Sequence, residues 1–258
     1  MDNIIAQAPA FMVVFIRVSA FLVFVPFFDN PNFVTVVKEG FAFLIALLLF
    51  PSIQTGNWSI PQNMLSYMMM MTGEVLVGIL MGMVFLILLS ALQVAGHLLG
   101  YQMAFTMATS IDMTFGESSD VISTVVVLVG TMLVLTFGGD HYLLYSLSKS
   151  FDVLTPGSIF VSKGLIKDLT HLLTRSFEMG FRLAAPAVIL LLAIDMILSF
   201  VGKAAAKVQM FFVGLPLKIA VGLFCLTLML GFIVSIWGKE IGKFPGYFLH
   251  FFKLMTPG

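Results

Sequence analysis

Six ionisable side chains lie inside or beside apolar runs of this chain: Arg17 in "FMVVFIRVSAFLVFVPFF", Glu74 in "MMMMTGEVLVGILMG", Glu178 and Arg182 just ahead of Pro186, Asp195 in "VILLLAIDMILSF", and Lys218 in "VGLPLKIAVGL". A charge at the centre of a membrane costs about 2.5–3.5 kcal/mol on insertion scales, so each needs a partner or a watery cavity. Two kinds of chemistry fit such a set. One is a proton or ion pathway, which requires a succession of acids on one face. The other is structural pairing between packed helices. No run of acids is present, so pairing is the favoured reading. Glu178 and Arg182 are i, i+4 and can pair on one helix face. Two bases and two acids then remain, enough for cross-helix pairs such as Arg17 with Glu74 and Asp195 with Lys218. If the first pair is real, exchanging its two charges should restore assembly lost in the single variants.

Other chemistries lack their residues. The chain has no GxxxxGK[ST] phosphate loop, no HExxH and no GxSxG elbow. His97, His141, His171 and His250 are scattered, with no pair at i, i+4, so a metal site is not expected. In "GGDH" (138–141), an acid precedes a histidine without a nucleophile at readable spacing. It fits a turn opening a helix, with Asp140 as the cap. The single cysteine, Cys225, excludes an internal disulfide and lies in an apolar run as a packing residue. An enzyme is not expected, nor any cofactor. Thirteen basic residues balance thirteen acidic ones, so no bulk field favours nucleic acid.

These charges are carried by unusually apolar elements. Of 258 residues, 60% are hydrophobic and 10% charged, against about 25% charged in soluble domains; the mean hydropathy is +1.08. The expected fold is all-α, polytopic and membrane-embedded, in a single domain. Apolar segments stand out at about 8–28, 40–53, 64–92, 121–138, 177–200 and 211–237. The first lacks a positive n-region and is too long for a cleavable signal, so it reads as a retained membrane segment. The second is short for a span and is interrupted by Pro51, whereas the third is over-long and holds Gly73, Gly78 and Gly82. If all six segments crossed, the side with both termini would carry Lys149, Lys163, Lys167, Arg175, Lys239, Lys243 and Lys253, and the other Lys38, Lys203 and Lys207. That asymmetry would place the termini in the cytoplasm. Leu143, Leu144, Leu147 and Phe151, opposite Ser146, Lys149 and Ser150, predict a short amphipathic helix ended by Pro156-Gly157. Pro186 predicts a kinked or broken segment, and the GxxxG pairs Gly78/Gly82 and Gly96/Gly100 predict close helix contacts.

The chain holds 18 methionines and 27 phenylalanines. Methionine fills irregular gaps and repacks around changing shapes. "MMMM" (68–71) cannot be one stripe, because four successive helical residues point all round the helix. The strip "QMAFTMATSIDMTFGES" (102–118) joins such side chains to backbone freedom at Gly116 and Ser118. A segment of this kind can close a wet constriction by dewetting and yield when a large object passes. Its candidate sealing residues are Met103, Phe105, Met107, Ile111, Met113, Phe115 and Gly116, with Asp112 and Glu117 towards water.

Several stretches, in order and over nearly the whole chain, resemble the FliR/SctT family of type III export-gate proteins: "FIRVSAFLVFVPFF" with Pro31 and Lys38, "TGEVLVGILMG", "GHLLGYQM", "SFDVLTPGS" and "AAKVQMFFVGLPLKIAVGL" (205–223). The flagellar branch is the closer one. The resemblance implies slanted, broken helical hairpins, with a FliP-like part over about 1–176 joined to a FliQ-like part over about 177–258. It also implies one such chain in a gate with FliP-like and FliQ-like subunits, contact with an FlhB-like switch subunit, and passage of unfolded flagellar proteins. The place would be the bacterial inner membrane, in lipid, at the flagellar basal body. The family's pore plug falls on about 103–118. The competing expectation is a stand-alone ion-coupled transporter of small solutes using Glu74 and Asp195. Inverted repeats would mark one, and none is found.

Overall fold

The computed structural model of the protein describes residues 2–25, 35–53, 58–104, 121–158, 162–204 and 210–256. Among the described residues the regular elements are all helical: α1 (Asp2–Leu22), α2 (Thr35–Leu49) with a 3-10 turn at Phe50–Ser52, α3 (Met64–Gln102), α4 (Val121–Thr136), α5 (Gly139–Val153), α6 (Lys163–Ala204), α7 (Met210–Ile241) and α8 (Phe244–Leu254). The all-α, polytopic expectation holds.

The span count differs from the six apolar segments. Among the described residues four helices are long and apolar enough to cross a membrane: Thr35–Ser52, Met64–Gln102, Gly164–Lys203 and Val213–Ile241. Counting the bent pair α4 and α5 as one broken span gives five. In α1 the apolar helix, Gln7–Leu22, falls below that length. Hydropathy alone cannot separate a helix from its continuation. α3 runs past the apolar segment to Gln102, and α6 fuses the amphipathic stretch 162–180 with the apolar run after it. At 39 and 42 residues these helices are about 58 and 63 Å long, well beyond a hydrocarbon core.

Pro186 does not break α6, and Pro216 likewise lies inside α7. Proline removes one intrahelical bond, which a long helix tolerates where its neighbours hold it in place. The helical run is instead broken at Gly138, between α4 and α5. Gly138 has φ +70°, the left-handed region open to glycine, and it is the residue capping α5. Asp140 is therefore not the cap; it lies in the first turn and contacts His141.

The helices group into two compact units. One comprises residues 1–88, 138–172 and 242–258; the other comprises 89–137 and 173–241. In the first, α1 packs beside α2, and α5 beside α8. Val14, Val18 and Phe21 of α1, Val77, Met81 and Phe85 of α3, and Leu143, Leu147 and Phe151 of α5 are buried at helical spacing. Phe85 meets Phe244 edge-on at 5.9 Å. In the tetra-methionine run Met70 is buried while Met68 and Met69 are exposed, as residues spread around a helix must be. In the second unit, Leu92, Ala95 and Leu99 form the buried stripe of α3, continued by Met103 in the turn after it, and Val126, Leu183, Leu191, Met229, Ile233 and Trp237 are buried in the same unit.

Glycines set the closeness of α3 to its neighbours, differently in each unit. In the first unit they belong to α3: a Cβ on Gly78 would sit 2.6 Å from Ala20 Cβ and 2.7 Å from the Arg17 carbonyl, and one on Gly82 would strike Phe24. In the second, most come from the partners. Gly130 faces Leu92, Gly180 faces Ala91 and Val94, and Gly222 faces Met103. Gly96 of α3 meets the Ser123 backbone, and Ser123 Oγ donates to the Gln93 carbonyl at 3.1 Å. Contacts this close exclude even a methyl group and raise the dispersion gain on which helix association in lipid depends.

Candidate functional site

The first polar cluster is built around Arg17, which α1 places against α3 and α5. The side chain is 0% exposed, as is Glu74. Arg17 Nε donates to Glu74 Oε2 at 2.6 Å, Nη1 to Ser150 Oγ at 3.0 Å and Nη2 to the Leu154 carbonyl at 3.2 Å. Its guanidinium carbon lies 4.0 Å from the centroid of the Phe151 ring, and Trp58 stacks on Phe151 at 5.8 Å. Ser150 Oγ in turn donates to the Leu147 carbonyl at 2.7 Å. Every acceptor surrounding Arg17 suits a cation, and the rigid guanidinium fork reaches all of them at once. Glu74 Oε1 has no hydrogen-bond partner among the described residues.

A buried ion pair regains little beyond its desolvation cost, whereas breaking it strands a charge. The cluster is therefore better suited to fixing how α1, α3 and α5 meet than to adding bulk stability. Sequence reasoning put Arg17 and Glu74 together but missed Ser150 and the Leu154 carbonyl. Ser146 and Ser150 were assigned to the polar, outward face of α5; both are buried, while Leu144 is exposed. The missed signal was Ser150, a hydroxyl on the inward face of α5 that a hydropathy pattern counts as solvent-facing.

The second cluster lies in the other unit. Lys218 Nζ of α7 is 2.7 Å from Asp195 Oδ1 of α6, and Gln102 Nε2 at the end of α3 donates to Asp195 Oδ2 at 3.0 Å. Each carboxylate oxygen thus serves a different helix. Asp195 is 40% exposed and Lys218 16%, so this cluster is in reach of its surroundings as the first is not.

Glu178 and Arg182 are both exposed on α6 and form no ion pair with each other among the described residues. An exposed i, i+4 pair is worth only about 0.3–0.5 kcal/mol, too little to hold two long side chains in register. Of the sealing strip, Met103 is described: it is fully buried in the turn after α3, over Gly222. Phe105, Met107, Ile111, Met113, Phe115 and Gly116, with Asp112 and Glu117, lie outside the described residues. Among the described residues no three His, Cys, Asp or Glu side chains gather as a metal-binding group.

Comparison with known proteins bears directly on these helices. The model of the family described as bacterial export proteins, family 1, matches residues 8–244. The flagellar biosynthetic protein FliR of Bacillus subtilis is 32% identical over 238 residues, covering 90% of each chain. FliR of Caulobacter vibrioides is 28% identical, covering 90% of this chain and 94% of its own. The secretion system apparatus protein SsaT of Salmonella typhimurium is 23% identical over 72% of this chain and 73% of its own. Arg17, Glu74, Asp195 and Lys218 all fall within the matched span, and the chain belongs to the bacterial export proteins, family 1.

Proposed function

We propose that this protein is a membrane subunit of the flagellar type III protein export gate, helping to form and close the passage through which unfolded flagellar proteins leave the cytoplasm. The observation that carries this reading is the end-to-end similarity to a FliR, 90% of both chains at 32% identity. The fold supports it. Long helices with large apolar residues exposed, such as Leu48, Ile189, Met196 and Phe200, suit a chain that finishes its packing against lipid and other subunits. The polar clusters tie helices to one another, which suits a structural and gating role.

The partners in this reading are FliP-like and FliQ-like subunits, with an FlhB-like switch subunit at the gate, in the bacterial inner membrane at the flagellar basal body. The chain's own two parts are a FliP-like one over about 1–176 and a FliQ-like one over about 177–258. Residues 103–118 act as the pore plug, with Met103, Phe105, Met107, Ile111, Met113 and Phe115 as the sealing side chains and Gly116 as the yielding point. Expression in a Bacillus subtilis strain lacking its FliR tests the assignment. Restored swarming and secreted filament protein are expected, together with co-purification of a fixed ring of FliP-like and FliQ-like subunits. Ion-coupled solute uptake by the purified chain alone in liposomes would overturn it in favour of a transporter. Deleting 106–116 should raise ion leakage through the assembled gate, and unchanged conductance would sink the plug.

A further inference from the structure

We infer that Gln102, Asp195, Lys218 and Gly222 form a clamp that positions the strained end of α3. Three independent features meet there. The first is the polar link: Gln102, the last residue of α3, donates to Asp195 at 3.0 Å, and Asp195 is held by Lys218 at 2.7 Å. The second is a fitted contact. Met103, the next residue, is 0% exposed and seated over Gly222, where a Cβ would come within 2.3 Å of Met103 Cγ. The third is strain. Ala104 has φ +56°, a left-handed conformation that L-residues with a Cβ avoid, and its N–H bonds the Tyr101 carbonyl at 3.0 Å. Helices commonly end this way on glycine, seldom on alanine. A conformation of this kind persists only where its surroundings over-determine it.

The parts divide the work by chemistry. Asp195 offers one oxygen to Gln102 and the other to Lys218, so α6 and α7 are both tied to the last turn of α3. Gln102 carries a donor and an acceptor on one amide and tolerates exchange of the two charges around it. Because Asp195 is 40% exposed, the clamp is of modest strength. A modest clamp holding a strained turn is suited to opening and closing. The link from clamp to gating rests on the reading of 103–118 as a plug; the clamp itself does not.

The test places a thiol at the seat. In a Cys225→Ser background, Met103→Cys is labelled with a maleimide in the full chain, in detergent and in the assembled gate. Labelling should be slow in this parent. It should quicken about tenfold with Gln102→Leu or Asp195→Leu, each of which removes the bond, the factor expected for losing one hydrogen bond to a charged group. Ala104→Gly added to Gln102→Leu should bring the rate back towards the parent, because it removes the strain that the clamp opposes. The exchange Asp195→Lys with Lys218→Asp should keep the thiol protected, which separates loss of the clamp from general misfolding. Unchanged labelling in both single variants overturns the clamp. So does equal quickening by Glu178→Gln on the exposed part of α6. Ion leakage is read in parallel: faster labelling without added leakage supports the clamp and counts against the plug. Leakage on deleting 106–116 with unchanged labelling in the clamp variants supports the plug and overturns the clamp.

Discussion

Removing either member of the Arg17–Glu74 pair should be far worse than removing both. Glu74→Leu leaves a guanidinium that is 0% exposed with only Ser150 and the Leu154 carbonyl as partners. Arg17→Met leaves a carboxylate in the same dry site with neither oxygen bonded. Breaking a buried pair in this way costs about 3–5 kcal/mol. For a chain of this length, each kcal/mol moves Tm by about 2–4 °C, so each single variant should lose about 6–20 °C. The double variant Arg17→Met with Glu74→Leu removes both charges and refills the volume with apolar groups, an exchange that is often neutral or stabilising. It should lie closer to the parent than either single. The assay is thermal unfolding in detergent followed by tryptophan emission, since Trp58 stacks on Phe151 beneath the guanidinium; abundance in the membrane fraction is the cellular readout. A double variant no more stable than the worse single would show that the two charges are not coupled. The structure also revises the charge-exchange experiment suggested by the sequence. A carboxylate at position 17 would face the Leu154 carbonyl and the negative face of Phe151. The exchange should therefore rescue less than the apolar double.

Other outcomes follow from the packing. Gly78→Val would drive its side chain into Ala20 and the Arg17 carbonyl, costing about 1–3 kcal/mol or more, read as lost Tm and lost membrane abundance. Gly40→Ala, with nothing within 4 Å of its added methyl, should instead gain about 0.5–1 kcal/mol of helix propensity. Gly138→Ala should cost about 1–2 kcal/mol through its positive φ, and Gly138→Asn less, because asparagine tolerates that region. Asp152→Asn, which breaks the exposed Lys149–Asp152 pair, should leave Tm unchanged within error.

Much of the architecture is legible in one dimension because lipid imposes a simple rule. Backbone groups must be satisfied within the segment, so long apolar runs become helices. The charges were legible for the same reason. An ionised group in such a run demands a partner, and with two acids and two bases the cross-helix pairs could be named in advance. The close contacts at Gly78, Gly82 and Gly96 follow from small residues at helical spacing, although GxxxG spacing alone does not say which neighbour arrives.

The sequence by itself determined an all-helical membrane chain, the identity of the charges needing partners, and membership of an export family through its ordered motifs. Tertiary structure decided where helices end and which polar side chains turn inward. Pro186 reads as a kink or a break yet α6 continues through it, while the break at Gly138 depends on a left-handed φ that composition does not reveal. Ser150 reads as solvent-facing yet completes the Arg17 site. Gln102 reads as the first residue of a loop yet bonds Asp195 across 93 positions. The physical reason is common to all three. Periodicity records what one helix prefers, whereas a buried cation or a strained turn takes its partners from whichever helices packing brings within about 3 Å.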